Sequence, residues 1–226
     1  MSKPQKSAKP QSKAVQHLLN QLQRKRETRE TAKWYLIVCE DDKSAPNYFE
    51  ALKRFLNLSA TCIKVVGSGG HSQPIQVVNK AIELKTLSMS PESSTEPFET
   101  AWCVIDGDFG PKVKEARAVA GQSDGIKLAV STMCFEYWIL LHGKEIGMPT
   151  ASCDETLKTL KKEYLPNYSK GDFSFDEVVR SYREASQRAK KLRMAGIRRR
   201  SLAEDQNPCS EVYLLIEEVC GDIRET

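Results

Sequence analysis

Two acidic clusters, each set directly after a short apolar run, are the residues best equipped for chemistry. Glu40-Asp41-Asp42 follows Trp34-Tyr35-Leu36-Ile37-Val38-Cys39, and Asp106-Gly107-Asp108 follows Ala101-Trp102-Cys103-Val104-Ile105. Carboxylates are hard oxygen donors that suit Mg2+ or Mn2+, with waters and a substrate phosphate completing the shell. Asp-Gly-Asp places two of them on one turn, and the glycine permits a tight backbone. Glu40, on a neighbouring strand, can take a proton from water or return one to a leaving oxygen, while the cation stabilises charge on the phosphate. An isolated Asp-X-Asp is ordinarily a surface turn. What distinguishes this one is a second acidic cluster at the same edge of the same predicted sheet. Four or five converging carboxylates repel one another unless a cation or a proton compensates them.

Both apolar runs read as strands buried on two faces, as in a parallel sheet covered by helices. In such sheets ligands bind beyond the carboxyl ends of the strands, where both clusters lie. Strands are predicted over 34–39, 62–66, 101–105 and 126–130, the last closed by Ser131-Thr132. Between them, Ser44 as cap and Pro46 in the first turn begin a helix whose Phe49, Leu52, Phe55 and Leu56 face a core. Further helices are expected over 73–87, from Pro111 to 120, and over 133–142. The alternation across 34–142 implies an α/β fold with a doubly wound parallel sheet.

The helix over 133–142 is apolar nearly all round and should be buried. Glu136 within it is costly unless a base or metal neutralises it, or unless it faces solvent at the helix start. That start shares the edge of Glu40 and Asp106, so Glu136 joins the candidates. Beyond 142 the chain reads as helices over 153–164, 174–195 and 208–220, with no fifth strand. Asn207-Pro208 reads as cap and first-turn pair of the last helix. The expected organisation is a basic tail over 1–33, an α/β domain over 34–145 and a helical C-terminal extension over 146–226. The turn Gly67-Ser68-Gly69-Gly70-His71-Ser72 opens a helix, as a phosphate cradle does. It lacks the P-loop lysine and the dinucleotide pattern, so a plain turn is the preferred reading, with His71 a surface residue.

The 226 residues are 40% apolar, enough for a real core. No apolar run approaches the ~20 residues that span a membrane, and the first thirty residues lack a signal-peptide core. The seven cysteines have no paired metal spacing. Cys39 and Cys103 in strands, and Cys134 and Cys220 in helices, read as reduced core-filling thiols of a cytoplasmic protein. The net charge of +4 is uneven: residues 1–33 sum to +7 and the remainder to −3. Within that remainder, residues 180–200 hold nine bases against Glu184 alone. Basic blocks attract polyanions through counterion release, although each block alone also fits a solvated tail or helix face. Residues 1–13 read as disordered, and 14–30 as a helix through Val15, Leu18, Leu19 and Leu22. Candidate nucleic-acid contacts are Lys43, Arg183, Lys190, Lys191, Arg193 and the loop residues Arg198, Arg199 and Arg200. Carboxylates for a cation beside basic blocks make phosphodiester cleavage the economical reading.

The order of Trp34–Glu40 and Asp106-Gly107-Asp108 resembles the Toprim fold, in which a catalytic Glu ends the first strand and an Asp-X-Asp follows a later one. More closely, the chain resembles the RloB-like family. The run Ile37-Val38-Cys39-Glu40-Asp41-Asp42-Lys43-Ser44-Ala45-Pro46-Asn47-Tyr48-Phe49-Glu50-Ala51-Leu52 is similar to the family's first motif. Thr132–His142 is similar to its "NPCFE" helix, and Asn207–Val219 to its closing motif. The likeness covers roughly 34–220. It implies a Toprim-like nuclease, acting on DNA or RNA (tRNA included), linked to antiphage defence and often encoded near an ATPase. It further implies Mg2+ or Mn2+ as cofactor. Carried over, Glu40, Asp106 and Asp108 are the expected catalytic and metal residues, with Asp42 a further metal candidate and Glu136 and His142 in support. A homodimer is an additional partner expectation. Two departures stand out: the family's Gly after the first Glu is Asp41, and its Asn-Pro before Cys134 is Thr132-Met133.

Two other readings compete. A receiver-type phosphoacceptor domain would use Asp41, Asp42, Asp106 and Thr132, but needs a lysine at the end of a fifth strand. A catalytically silent nucleic-acid- or ATPase-binding module would keep the fold alone.

Overall fold

The computed structural model describes residues 33–58, 63–70, 73–145, 147, 149–198 and 205–224. The tail readings over 1–32, His71, Arg199 and Arg200 lie outside these residues. Uninterrupted apolar runs build the centre. Strand β1 (Tyr35–Cys39) is buried at every position, because its odd and even residues enter two separate cores. It is followed by α1 (Ser44–Phe55), β2 (Ile63–Gly67), α2 (Pro74–Ser88), β3 (Thr100–Asp106), α3 (Pro111–Gly121), β4 (Ile126–Thr132) and α4 (Phe135–Gly143). Then come α5 (Cys153–Glu163), α6 (Tyr182–Arg198), β5 (Cys209–Ser210) and α7 (Val212–Arg224).

The five strands lie in the order β2-β1-β3-β4-β5, parallel except for the last pair. Tyr35, Ile37, Cys39, Trp102 and Val104 point to one face, against α1 and α4 to α7. Leu36, Val38, Ala101, Cys103 and Ile105 point to the other, against α2 and α3. The connection leaving β1 therefore runs over one face and the connection entering β3 over the other. Their carboxyl ends flank the topological switch point, where the diverging loops leave a crevice. The arrangement is a mixed α/β fold consistent with a Toprim-like sheet. No helix among the described residues is long and apolar enough to cross a membrane.

Four expectations change. First, a fifth strand exists: Cys209–Ser210 pairs antiparallel with Ser131–Thr132. Two residues carry no readable periodicity, and this strand holds no lysine, so the receiver reading gains nothing from it. Second, Asn207-Pro208 does not cap the last helix. Its peptide bond is cis, and the Asn207 side chain instead brackets Thr150, accepting from its N–H at 3.1 Å and donating to its carbonyl at 2.6 Å. Third, Ser44 is the first helical residue of α1 rather than its cap. The Asp41 carboxylate accepts from the N–H groups of Ser44 at 2.7 Å and Ala45 at 3.1 Å, and a carboxylate is the better partner for the positive helix end. Fourth, Cys134 is not a free thiol but is disulfide-bonded to Cys153. Two cysteines 19 residues apart at the starts of two helices give no spacing signal.

Helix α4 is buried from Phe135 to His142 as its composition demands, and Leu140 is 0% exposed. Leu140→Ala should cost ~2–5 kcal/mol of unfolding free energy through lost transfer energy and a cavity. Leu214→Ala, at 38% exposure, should stay within about 0.5 kcal/mol. Urea unfolding of the two variants checks the contrast.

Candidate active site

The parallel register delivers the first two carboxylates side by side. Glu40 continues the β1 ladder for one more bond, its N–H donating to Val104 O at 2.9 Å. Its side chain then turns back so that Oε2 accepts from the Asp106 N–H at 2.9 Å. Asp106 ends β3, opposite Ser131 of β4. Its Oδ1 accepts the Phe135 N–H at 2.9 Å, the first amide of α4. Asp106 thus holds Glu40 with its backbone and is itself held by a helix N-terminus, whose unsatisfied amides favour an anion. Among the described residues, Glu40 Oε1 and Asp106 Oδ2 receive no hydrogen bond.

Asp108 sits exposed on the single turn of 3-10 helix Gly107–Phe109. Gly107 is required there by close approach: a Cβ would lie 3.0 Å from both the Cα and Oγ1 of Thr132. The turn is therefore pressed against the end of β4, which fixes where Asp106 and Asp108 diverge. The Thr132–Met133 bond, where the resembling motif has Asn-Pro, is cis.

The other two acids of the first cluster are engaged elsewhere. Asp41 caps α1. Asp42 reaches across to the glycine turn after β2, accepting from the N–H groups of Gly69 at 2.7 Å and Gly70 at 3.1 Å. The turn thus cradles the chain's own carboxylate, and Asp42 serves the scaffold rather than the Glu40–Asp106 pair.

Glu136 is 0% exposed and is neutralised by a base that the sequence did not reveal. Lys170, in the connection between α5 and α6, brings its ammonium to 3.4 Å from Glu136 Oε1. Tyr168, two residues earlier, donates its hydroxyl to the same oxygen at 3.0 Å. The Ser44 hydroxyl lies 3.0 Å from the Tyr168 oxygen and 3.5 Å from Glu136 Oε1. Gly171 lets this connection lie against the first cluster: its φ is +91°, and a Cβ would meet Lys43 Cδ at 2.3 Å. Lys170 carried no signal because it sits in an aperiodic loop 130 residues beyond Glu40.

Crowding shows in the protonation. Burial first, with Asp108 and Asp41 behind it, raises the Glu40 carboxyl to about 7, against the opposing bond from Asp106 N–H. Burial, then Glu40 and Glu136, holds Asp106 well above the carboxylate range. Burial also raises Asp41 and Asp108. For Lys170 burial alone would lower the ammonium, but Glu136, Asp106 and Asp41 outweigh it and keep it above its ordinary value. The donor set is all oxygen, anionic and under-compensated, which fits a hard divalent cation. Glu40, Asp106 and Asp108 can hold one. They do not form a closed ligand set in this structure: among the described residues, the one group with ligand atoms all within 4.8 Å of one another is Cys134, Glu136 and Cys153.

His142 is not at the site. It lies six residues beyond Glu136, or about 9 Å along α4. Its Nδ1–H donates to Trp138 O, and Nε2 accepts from the Tyr48 hydroxyl, both at 3.0 Å. Burial lowers its pKa to about 4, so it is a neutral core residue.

The basic candidates mostly have acidic partners within the chain. Lys190 pairs with Glu217 at 2.9 Å, Lys191 with Glu145 at 3.0 Å and Arg193 with Glu211 at 3.9 Å. Arg183 lies over the Tyr182 ring, and Arg198 is exposed at the end of α6. Lys43, through its contact with Gly171, is the basic candidate placed at the carboxylate edge.

The fold and the site define an α/β protein whose carboxylates crowd the switch point of a parallel sheet, under a lysine supplied by a distant loop. The chain belongs to the RloB-like family, whose model, described as RloB-like protein, matches residues 35–219. No curated protein and no solved structure matches it.

The raised Glu40 carboxyl makes a signed prediction. Between its unperturbed 4.5 and about 7 the folded state binds more protons than the unfolded state, so this group's stabilisation is full below 4.5 and lost as pH rises through 7. His142 opposes it between about 4 and 6.5, since its depressed pKa favours the folded state as pH rises. The difference between variants cancels His142: Glu40→Gln should gain melting temperature relative to wild type between pH 5 and pH 8 in chelator, through its own lost charge and the relief of Asp106. Parallel melting curves would contradict the assignment.

Proposed function

We propose that the chain is a divalent-metal-dependent nuclease that cleaves phosphodiester bonds of DNA or RNA. The observation that carries this reading is the Glu40–Asp106 pair at the switch point, with Asp108 one turn away. Glu40, Asp106 and Asp108 would hold Mg2+ or Mn2+, which when bound supplies Lewis-acid stabilisation of charge on a phosphoryl oxygen.

The chain's own residues do the rest. Phe135 N–H and Asp106 N–H orient the two carboxylates before a substrate arrives. Glu40 Oε1, which receives no hydrogen bond among the described residues, would accept a proton from an attacking water or return one to the leaving oxygen. Lys170 keeps Glu136 compensated in the wall of the site. Lys43, on the rim, offers a point charge to a phosphate. The family resemblance adds a role in antiphage defence under a partner ATPase, and we include both in the proposal.

The test incubates the protein with labelled DNA and RNA, with and without Mg2+ or Mn2+. Glu40→Gln, Asp106→Asn and Asp108→Asn should each lower cleavage about 100-fold or more while keeping the wild-type circular dichroism spectrum. Folded variants that cut like wild type would remove the reading. For binding, replacing Arg198, Arg199 and Arg200 together with Ala should flatten the dependence of log affinity on log salt by up to about 3 × 0.9. An unchanged slope in fluorescence anisotropy would take these three arginines off the nucleic-acid surface.

A further inference from the structure

The disulfide lies against the carboxylate site and has no part in the reading above. Cys134 is 0% exposed and immediately precedes α4. Cys153, half-buried, is the first residue of α5. Their Cα atoms are 5.6 Å apart, within the usual span of about 4.4–6.8 Å for such a bridge. The next amide after Cys134 is the Phe135 N–H that holds Asp106. On the other side, Glu136 Oε2 is 3.8 Å from Cys153 Sγ. The bridge therefore joins the starts of two helices at the point where α4 positions two of the site's carboxylates.

Accessibility divides the roles of the two sulfurs. Cys153 is half-buried and so reachable from solvent. Cys134 is out of reach of any reagent but is within bonding distance of Cys153. Of the other described cysteines, Cys39, Cys103 and Cys209 are buried and Cys220 is half-buried, and burial pushes the Cys39 and Cys103 thiols up.

We propose that Cys134 and Cys153 form a reversible dithiol–disulfide couple, a redox modification site that sets how firmly the start of α4 holds Asp106. The oxidant is a low-molecular-weight disulfide such as oxidised glutathione. Cys153 thiolate attacks it, forming a mixed disulfide and releasing one small thiolate. Cys134 thiolate then attacks Cys153 Sγ, forming the protein disulfide and expelling the second small thiolate. Two protein thiols lose two electrons, one small disulfide gains them, and the two thiol protons end on the two released thiols. In a reducing compartment the couple stands open until the thiol pool is oxidised.

The test equilibrates the full chain in reduced or oxidised glutathione, quenches it with an alkylating agent and maps peptides by mass. Wild type in oxidised glutathione should yield a Cys134–Cys153 linked peptide. Cys134→Ser should instead hold glutathione on Cys153, and Cys153→Ser should hold none on Cys134. Reduction should speed hydrogen exchange of the Phe135 amide several-fold, a readout that does not depend on nuclease activity. Equal alkylation of both cysteines in the two buffers would overturn the couple. Unchanged Phe135 exchange would overturn its link to Asp106. One equivalent of zinc retained by the reduced chain, protecting both thiols from alkylation, would replace the couple with a metal site using Glu136.

Discussion

The hydrogen bonds made by Asp106 are the constraint on which the site depends. One residue uses its backbone to hold the neighbouring strand's carboxylate and its own carboxylate to receive the first amide of α4. Sheet register alone would bring β1 and β3 side by side, but it would not orient two like charges toward a common crevice. Directed amides do, because each carboxylate gains a charge-assisted bond where mutual repulsion would otherwise turn it outward. Burial then raises both groups. A site that strains toward protonation or a cation is the expected product of such packing.

Glu136 extends the same logic to the helix interior. A carboxylate at 0% exposure is tolerated only when paired and hydrogen-bonded, and its cationic partner Lys170 and its hydrogen-bond donor Tyr168 come from one short stretch. That stretch is secured by aromatic contacts of Tyr168 with Phe173 and Phe175 and by the close fit of Gly171 on Lys43. The connection between α5 and α6 is thus a structural part of the site, not a free linker, and its lysine is held in place by packing made several residues away.

What the sequence revealed follows from how each feature is encoded. β1 and β3 were legible because strands buried on both faces leave uninterrupted apolar runs ending in charge, and the edge they share follows from topology. Glu136 was legible as an anomaly, a charge in an apolar helix, although its partner was not. Lys170 belongs to a loop without period, and its importance lies only in the fold's return to the first cluster. β5 is too short for any pattern. Asp42 and Glu40 look equivalent in the sequence and are separated by one rotation of the chain: Glu40 continues the β1 ladder, whereas Asp42 meets the amides of the β2 turn. His142 carried a chemical side chain at a family motif position, but six residues of helix take it to the other end of α4, into bonds with Tyr48 and Trp138.

That helix explains why so short an apolar segment can be fully enclosed. Nine residues leave a large share of their amides and carbonyls without intrahelical partners, and burial removes water as the alternative. At the amino end Asp106 accepts the Phe135 N–H. At the carboxyl end Arg188 donates to the carbonyls of Leu141 and His142 at 2.6 and 2.9 Å. The charges are anionic at the positive pole and cationic at the negative one, each favourable by ~0.3–1 kcal/mol at exposed sites and up to ~2 kcal/mol when partly buried. Reversing either would leave polar groups sealed against a like charge. The orientation of α4, and with it the amide that fixes Asp106, is therefore dictated from both ends, and the basic residue at one end supports the acidic site at the other.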